Sequence, residues 1–169
     1  MKTKDIALCG LLITVALVLS IIEKMFPLQA VVPIPGIKLG LANVVTVFAL
    51  ARLDTKRAVA IVLCRVTLAS IFMGSVTGFA FALTGGMLAL FVMRLLLPLV
   101  GRSLSLLGVS VAGAAAHNIG HICAAIGVLG TTDVVGYLPL LLVSAVPMGL
   151  VTGLTAQETL SHLDKISGN

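Results

Sequence analysis

The sequence has few charged residues and few aromatic ones. Only 10% of the 169 residues are charged and 4% are aromatic, tryptophan is absent, and 59% are hydrophobic. A soluble chain of this length cannot bury so much apolar surface. Its apolar runs have the length of membrane-spanning helices rather than of barrel strands. We therefore predict an all-α integral membrane protein, with residues 1–169 forming a single transmembrane domain.

Cysteine and acidic residues are also scarce, which excludes several kinds of chemistry. Cys9, Cys64 and Cys123 are odd in number and lie in apolar segments, so we expect neither a disulfide framework nor a zinc site. The six acidic residues are solitary, whereas prenyl chain elongation needs aspartate clusters that hold magnesium on a diphosphate. The sequence has no Ser-His-acid set, paired carboxylates or P-loop. We therefore predict no catalytic activity and no cofactor, and no use of ATP by the chain itself.

Six apolar segments divide the chain. The first is too long for a signal peptide and lacks a small-residue cleavage site. The second spans only about 20 Å at the helical rise, less than the hydrocarbon core, so we expect it to begin inside the membrane or to be met by a loop that dips in. The predicted spans are Ile6–Phe26, Leu39–Ala51, Ala58–Phe72, Phe79–Val100, Leu104–Leu129 and Tyr137–Ala156.

Lysine and arginine are distributed unevenly among the predicted connections. With the N-terminus inside, the outer connections hold only Lys24 and Lys38, whereas the inner ones hold seven lysines and arginines. Cytoplasmic connections usually carry the excess of positive charge. We therefore predict that both termini are cytoplasmic and that the loop Pro33–Lys38 is external. The net charge of +5 then reflects topology, and we predict no nucleic-acid partner.

The segment Pro33–Asn43 is the one long interruption between apolar segments. Its prolines and glycines prevent the preceding helix from continuing, and a new apolar helix begins at about Leu39. The free N–H groups of a helix start favour an anion, and Lys38 adds a full positive charge beside them. One interpretation is an anion-binding cradle that includes Lys38 and Asn43, and the other is a stiff connector.

Arg65 is predicted near the middle of the third span, where a charge is costly unless it is paired or hydrated. No acidic residue is predicted at its depth, and the nearest candidate, Glu23, is expected toward the outer surface. One interpretation is that the balancing anion arrives as a ligand. The alternative is that Arg65 bonds backbone carbonyls or polar side chains, or pairs with Glu23. We expect Arg94 to snorkel to the inner surface.

His117 and His121 are four residues apart and therefore share one helix face, with Asn118 beside them. Small residues at helical spacing on this helix predict close packing: Gly113, Gly120, Ala124 and Gly127. Three interpretations remain open, namely hydrogen bonds of His117 and Asn118 across helices, ligand binding together with Arg65, and metal binding. The spacing suits zinc, but Asn118 replaces the glutamate of such motifs and no third ligand is evident, so we predict no metal.

The first span carries small residues at helical spacing: Ala7, Gly10 and Thr14. Such a stripe allows another helix to approach closely. It predicts either internal packing or docking to a partner protein.

Three of these motifs together resemble a known family. The segment Pro35–Asn43, the pair Gly85-Gly86 and the segment Gly113–Gly120 resemble the bacterial Gx transporter family, also labelled heptaprenyl diphosphate synthase component I. The resemblance covers nearly the whole chain and implies a multi-pass protein of the bacterial cell membrane. The synthase label implies a subunit that helps to make the isoprenoid tail of menaquinone. His121 stands where a glutamine is common in the family.

The family is also similar in size and topology to the S components of energy-coupling factor vitamin transporters. That similarity implies a bundle of six transmembrane helices that binds a vitamin near the outer surface. It also implies docking, through small residues of the first span, on a transmembrane coupling protein with two ATPases. Here Gly10 and Thr14 stand in for the usual alanine pair.

Two functions follow as expectations. The first is the substrate-binding component of an uptake transporter for a small anionic ligand, such as a quinone or isoprenoid precursor or another vitamin-like molecule. The expected lining is Lys38, Asn43, Arg65, His117, Asn118 and His121. The second is a non-catalytic membrane subunit that anchors or regulates a soluble prenyl diphosphate synthase. An electron-transfer membrane protein is a third alternative.

Overall fold

The computed structural model describes residues 3–25 and 40–168, and these residues form helices and turns without a strand. Two short 3₁₀ helices, Leu97–Leu99 and Asp133–Tyr137, lie in the last two connections between α-helices. The α-helices are α1 (Thr3–Lys24), α2 (Asn43–Arg52), α3 (Thr55–Met73), α4 (Val76–Leu96), α5 (Leu106–Leu129) and α6 (Leu138–Ser167).

Four described helices, α1, α4, α5 and α6, are long and apolar enough to cross a membrane. The helix α2 has only ten residues, about 15 Å, which is shorter than the hydrocarbon core of a bilayer. The helix α3 carries Lys56, Arg57 and Arg65 and is not among the four. The prediction of an all-α membrane protein is therefore confirmed. Six full spans and cytoplasmic termini remain predictions.

Polar caps set the starts of three helices. Asp54, Ser75 and Ser105 each accept a hydrogen bond from the backbone N–H three residues later, at 2.7 to 3.1 Å. Such a cap satisfies one of the N–H groups that the first turn leaves without an intrahelical partner. Because the caps of α3 and α4 lie before the apolar runs, both helices begin three residues earlier than hydropathy predicted.

The last helix is longer than predicted. The sixth span was expected to end at Ala156, but α6 has 30 residues and ends at Ser167. Leu160 packs against the main hydrophobic core, and Asp164 forms an ion pair with Arg52. These two contacts hold the added turns on the bundle. At about 45 Å, α6 exceeds the thickness of a hydrocarbon core.

The helices α4 and α5 approach each other most closely at glycines. A Cβ added to Gly120 would lie 2.7 Å from the Cα of Gly85, and one added to Gly113 would lie 1.9 Å from Met93 Cε. These positions accept only glycine without a shift of their neighbours. The predicted packing stripe of α5 is confirmed at Gly113 and Gly120. It does not extend to Gly127, where no atom lies within 4 Å of an added Cβ.

Ion pairs gather where α1 and α3 begin and where α2 and α6 end. We call this region the charged end and define it by Asp5, Arg52, Asp54, Arg57 and Asp164. Arg57 contacts Asp5 at 2.9 Å and Asp54 at 3.2 Å, and Arg52 pairs with Asp164.

Arg94 lies beside this region. Its side chain is exposed, and its Nε donates a hydrogen bond of 2.8 Å to Thr55 Oγ1 at the start of α3. The extension of Arg94 toward the inner surface remains a prediction.

Candidate functional site

Five polar side chains meet inside the helix bundle, and we call them the buried polar cluster. Each is at most 5% exposed. They come from α1, α2, α3 and α5: Glu23, Asn43, Arg65, His117 and His121. The structure therefore brings together four of the six predicted ligand-binding residues and adds Glu23. Lys38 lies outside the described residues.

The start of α2 binds a carboxylate. The backbone N–H of Gly40 donates a hydrogen bond to the Glu23 carboxylate, and Gly40 has a φ of +81°, which glycine adopts without strain. A Cβ on Gly40 would lie 3.0 Å from Asn43 Nδ2 and 3.5 Å from His117 Cδ2. The backbone at Gly40 therefore brings the end of α1 close to Asn43 and His117. A carboxylate is a strong acceptor for a buried backbone N–H, since the hydrogen bond is assisted by its charge.

Arg65 lies against the second glycine of the Gly85-Gly86 pair. Its Nη2 would be 3.2 Å from a Cβ added to Gly86. Its Nε and Nη2 atoms are buried and find no hydrogen-bond partner among the described residues. The Glu23 carboxylate attracts the Arg65 guanidinium through space.

The sequence places Glu23 toward the outer surface and leaves it open as a partner of Arg65, and the structure favours that alternative. Glu23 is near the end of α1, but it is buried and interacts electrostatically with Arg65. The physical reason is that α2 begins inside the bundle, so its start meets the last turn of α1. The buried face of α1 contained a usable signal, because one helical stripe leads to Glu23: Leu12, Ala16 and Ser20.

The two histidines pack on each other and on α4. The ring centroids of His117 and His121 are 4.4 Å apart, and Phe81 meets the His121 ring edge-on at 5.8 Å. A Cβ on Gly85 would lie 2.6 Å from His121 Cδ2. Consecutive glycines of α4 therefore leave room for His121 and for Arg65. Sequence reasoning noted this glycine pair only as a family motif and missed Gly40.

Asn118 makes a different contact from its histidine neighbours. Its Nδ2 donates a hydrogen bond of 2.6 Å to the Leu141 carbonyl oxygen of α6. The helix α6 contributes no side chain to the buried polar cluster. The structure thus gives Asn118 the cross-helix hydrogen bond that was one of the sequence interpretations.

The small-residue stripe of α1 is exposed. Ala7, Gly10 and Thr14 all face outward, and no described atom lies within 4 Å of a Cβ added to Gly10. Thr14 Oγ1 bonds only locally, donating to the Gly10 carbonyl oxygen at 3.0 Å. Internal packing of this stripe is therefore not seen within the described part of the chain. Docking to a partner remains a prediction.

Other features bear less on chemistry. Within residues 3–25 and 40–168, no three His, Cys, Asp or Glu side chains form a group that can hold a metal ion. A groove of about 500 Å³ at the α3–α4 turn has no ionisable lining residue. It is lined by Ser70, Ile71, Gly74, Ser75, Val76 and Phe79.

The buried polar cluster lies within a region of recognisable sequence. The family model for heptaprenyl diphosphate synthase component I matches residues 12–159. Neither the curated proteins nor the solved structures give a match to the chain. The family match includes all five cluster residues and leaves out Ala7 and Gly10 of the α1 stripe. Since it covers most of the sequence, the chain belongs to the heptaprenyl diphosphate synthase component I family.

Proposed function

We propose that this protein binds a small anionic ligand in the buried polar cluster, as the substrate-binding membrane component of an uptake transporter. One observation carries the proposal. The Nε and Nη2 atoms of Arg65 and both polar side-chain atoms of Asn43 are buried without hydrogen-bond partners among the described residues. Each such atom costs free energy of folding. A bound ligand that accepts from Arg65 and contacts Asn43 supplies these missing partners.

The donors of the cluster favour an anion with two oxygens. The guanidinium of Arg65 offers parallel N–H groups that match a carboxylate or a phosphate. The backbone N–H of Gly40, in the turn before α2, adds one donor, and its hydrogen bond to Glu23 is an example of the partner it favours. His117 and His121 of the same cluster also carry ring nitrogens, and their ring centroids lie 4.4 Å apart.

The transport part of the proposal extends beyond the site. With both termini in the cytoplasm, the segment containing Lys38 is external, and Lys38 joins the ligand site from outside. The exposed stripe of Ala7, Gly10 and Thr14 then docks on a transmembrane coupling protein driven by two ATPases. The proposed ligand class comprises quinone and isoprenoid precursors and other vitamin-like anions. The proposed location is the bacterial cell membrane.

A second candidate is favoured by the family description. In this candidate the chain is a non-catalytic membrane subunit that anchors or regulates a soluble prenyl diphosphate synthase, and the family match supports it. The exposed face of α1 is then a docking face for the synthase. Gentle co-purification separates the candidates, since ATPases with a coupling protein support the first and a prenyl synthase supports the second.

The ligand-binding proposal is tested by native mass spectrometry of gently purified Arg65→Ala, with Arg94→Ala as the matched control. Arg94 is exposed and donates to Thr55 away from the cluster. Wild type and Arg94→Ala should carry a co-purified small anion, and Arg65→Ala should not. We expect a loss of affinity of about a hundredfold, or about 2.8 kcal/mol. Arg65→Lys keeps the charge without the planar fork and should lose about tenfold.

Thermal unfolding of the same variant shows whether Arg65 acts on the ligand or on the stability of the fold. Arg65→Ala leaves the buried Glu23 carboxylate without its guanidinium, so it should lower the melting temperature of the empty protein, and the added substitution Glu23→Gln should restore it. Retained ligand in Arg65→Ala, together with a melting temperature that Glu23→Gln does not restore, would make Arg65 a structural residue and remove the main support for the proposal.

A further inference from the structure

Glu23 has two interactions that the proposed ligand would use. It accepts the hydrogen bond from Gly40 N–H at the start of α2, and it attracts the Arg65 guanidinium. We propose that the Glu23 carboxylate occupies the anion position of the empty site, and that an incoming carboxylate or phosphate binds by displacing it. This inference rests on the proposed function and adds a mechanism of exchange to it.

The position of Glu23 is the first argument. Its side chain is only 3% exposed, so the carboxylate is held among protein groups rather than in water. A single carboxylate thus has both the helix-start donor and the buried guanidinium as neighbours. An added anion that seeks the Gly40 N–H meets a donor that Glu23 already uses, and it meets the charge of Glu23 beside the guanidinium.

The balance of charge is the second argument. The charged and titratable groups of the cluster are Glu23 from α1, Arg65 from α3, and His117 and His121 from α5. One guanidinium balances one carboxylate. A second anion in the same low-dielectric space is repelled by a Glu23 that stays charged and in place. Among the described charges, anion binding is therefore favoured when Glu23 leaves its position or takes up a proton.

The exchange also connects the ligand to α1. Glu23 lies in the last turn of α1, and its bond to Gly40 ties that turn to the start of α2. Displacement of the carboxylate releases this tie. The same helix presents the exposed stripe of Ala7, Gly10 and Thr14. Ligand binding thereby frees the last turn of α1, the helix that carries the proposed docking face.

The first test compares Glu23→Gln with Glu158→Gln, an exposed control. Inorganic diphosphate and acetate serve as probes, titrated calorimetrically into the whole protein in detergent at constant ionic strength. Glutamine keeps the size of the side chain and an oxygen that accepts from Gly40, but it lacks the competing charge. Glu23→Gln should bind at least one probe about tenfold tighter or more, and Glu158→Gln should match wild type.

The second test follows the carboxylate itself and keeps Glu23 intact. The sequence has only two glutamates, Glu23 and Glu158. In Glu158→Gln made with ¹³C-labelled glutamate, Glu23 is therefore the only labelled glutamate side chain. Infrared difference spectra on addition of the bound probe should show a change of the labelled carboxylate band. The band should be absent from the double variant Glu23→Gln with Glu158→Gln.

The outcomes separate the inference from the function beneath it. If a probe binds wild type in an Arg65-dependent manner, while Glu23→Gln gives no gain or the labelled band does not change, the exchange mechanism is overturned and the anion site survives. If neither probe shows Arg65-dependent binding to wild type or to Glu23→Gln, the proposed function itself is overturned.

Discussion

The charged end and the buried polar cluster contain the same chemical groups in opposite circumstances. At the charged end, Arg52 and Arg57 are partly exposed, and each has an aspartate within ion-pair distance. In the cluster, Arg65 is buried and two of its nitrogens lack hydrogen-bond partners among the described residues. The two arginines that water can reach thus have protein partners. The buried arginine, for which a missing partner is costly, has two nitrogens without one among the described residues.

This difference indicates what each region does. Partly exposed ion pairs are screened and contribute little to stability, so the charged end mainly fixes which helix ends meet. An incompletely bonded buried cluster lowers stability. Its cost is offset if the missing partner belongs to a ligand. The comparison therefore favours the cluster over the charged end as the region where a ligand would bind. The following three experiments test this difference between the two regions.

The largest expected effect on stability comes from the backbone contact that supports the cluster. Gly120→Ala places a methyl group 2.7 Å from Gly85 Cα and from the Thr84 carbonyl oxygen. Separation of α4 from α5 should lower the free energy of unfolding by about 1 to 3 kcal/mol. It should also displace His121 from Gly85. Denaturant unfolding in detergent micelles measures the first effect.

Gly127→Ala on the same helix is the matched control, since its added Cβ has no neighbour within 4 Å. We expect its free energy of unfolding to stay the same or to rise by up to about 1 kcal/mol. Equal behaviour of the two variants would contradict the close α4–α5 contact.

A medium effect should separate two buried asparagines. Asn118 donates to the Leu141 carbonyl oxygen, whereas both polar atoms of the Asn43 side chain lack partners within the described ranges. Asn118→Ala should therefore lower the free energy of unfolding by about 1 to 2 kcal/mol. Asn43→Ala should leave it unchanged or raise it, while ligand binding falls. A loss of stability in Asn43→Ala as large as that in Asn118→Ala would show that Asn43 is satisfied within the fold.

The smallest effect is expected at the charged end. Arg57→Ala should lower the free energy of unfolding by less than about 1 kcal/mol, because its ion pairs with Asp5 and Asp54 are partly exposed. The loss should vanish in about 1 M NaCl, where the screening length falls to about 3 Å. Arg102→Ala, an exposed turn residue, is the control. A loss that persists in high salt would remove the contrast between the two regions.

The fold class and the helical positions were predictable from local pattern. Hydropathy located the six α-helices of residues 3–25 and 40–168, and a spacing of four residues placed His117 and His121 on one face. Arg65, an arginine within an apolar segment, marked the cluster through the cost of burying its charge. These signals are local, and so the sequence carries them without knowledge of which helices touch.

The remaining features depend on tertiary contacts. Glu23 is near a helix end, and hydropathy assigned it to the surface, but the internal start of α2 makes its surroundings buried. The length of α6 was missed because its last turns are polar and are held by Leu160 and by the Arg52–Asp164 pair. Only the arrangement of several helices sets the environment of these residues.

Because α2 is short, it forms a stiff link between two regions of the molecule. One end holds Asn43 in the buried polar cluster, and the other end holds Arg52, paired with Asp164 of α6. Ten residues of helix, about 15 Å, are too stiff to absorb a displacement by bending. If the proposed ligand shifts Asn43 along the axis of α2, Arg52 should therefore shift as well. Ligand binding would then change the distance between Arg52 of α2 and the last turns of α6 at the charged end.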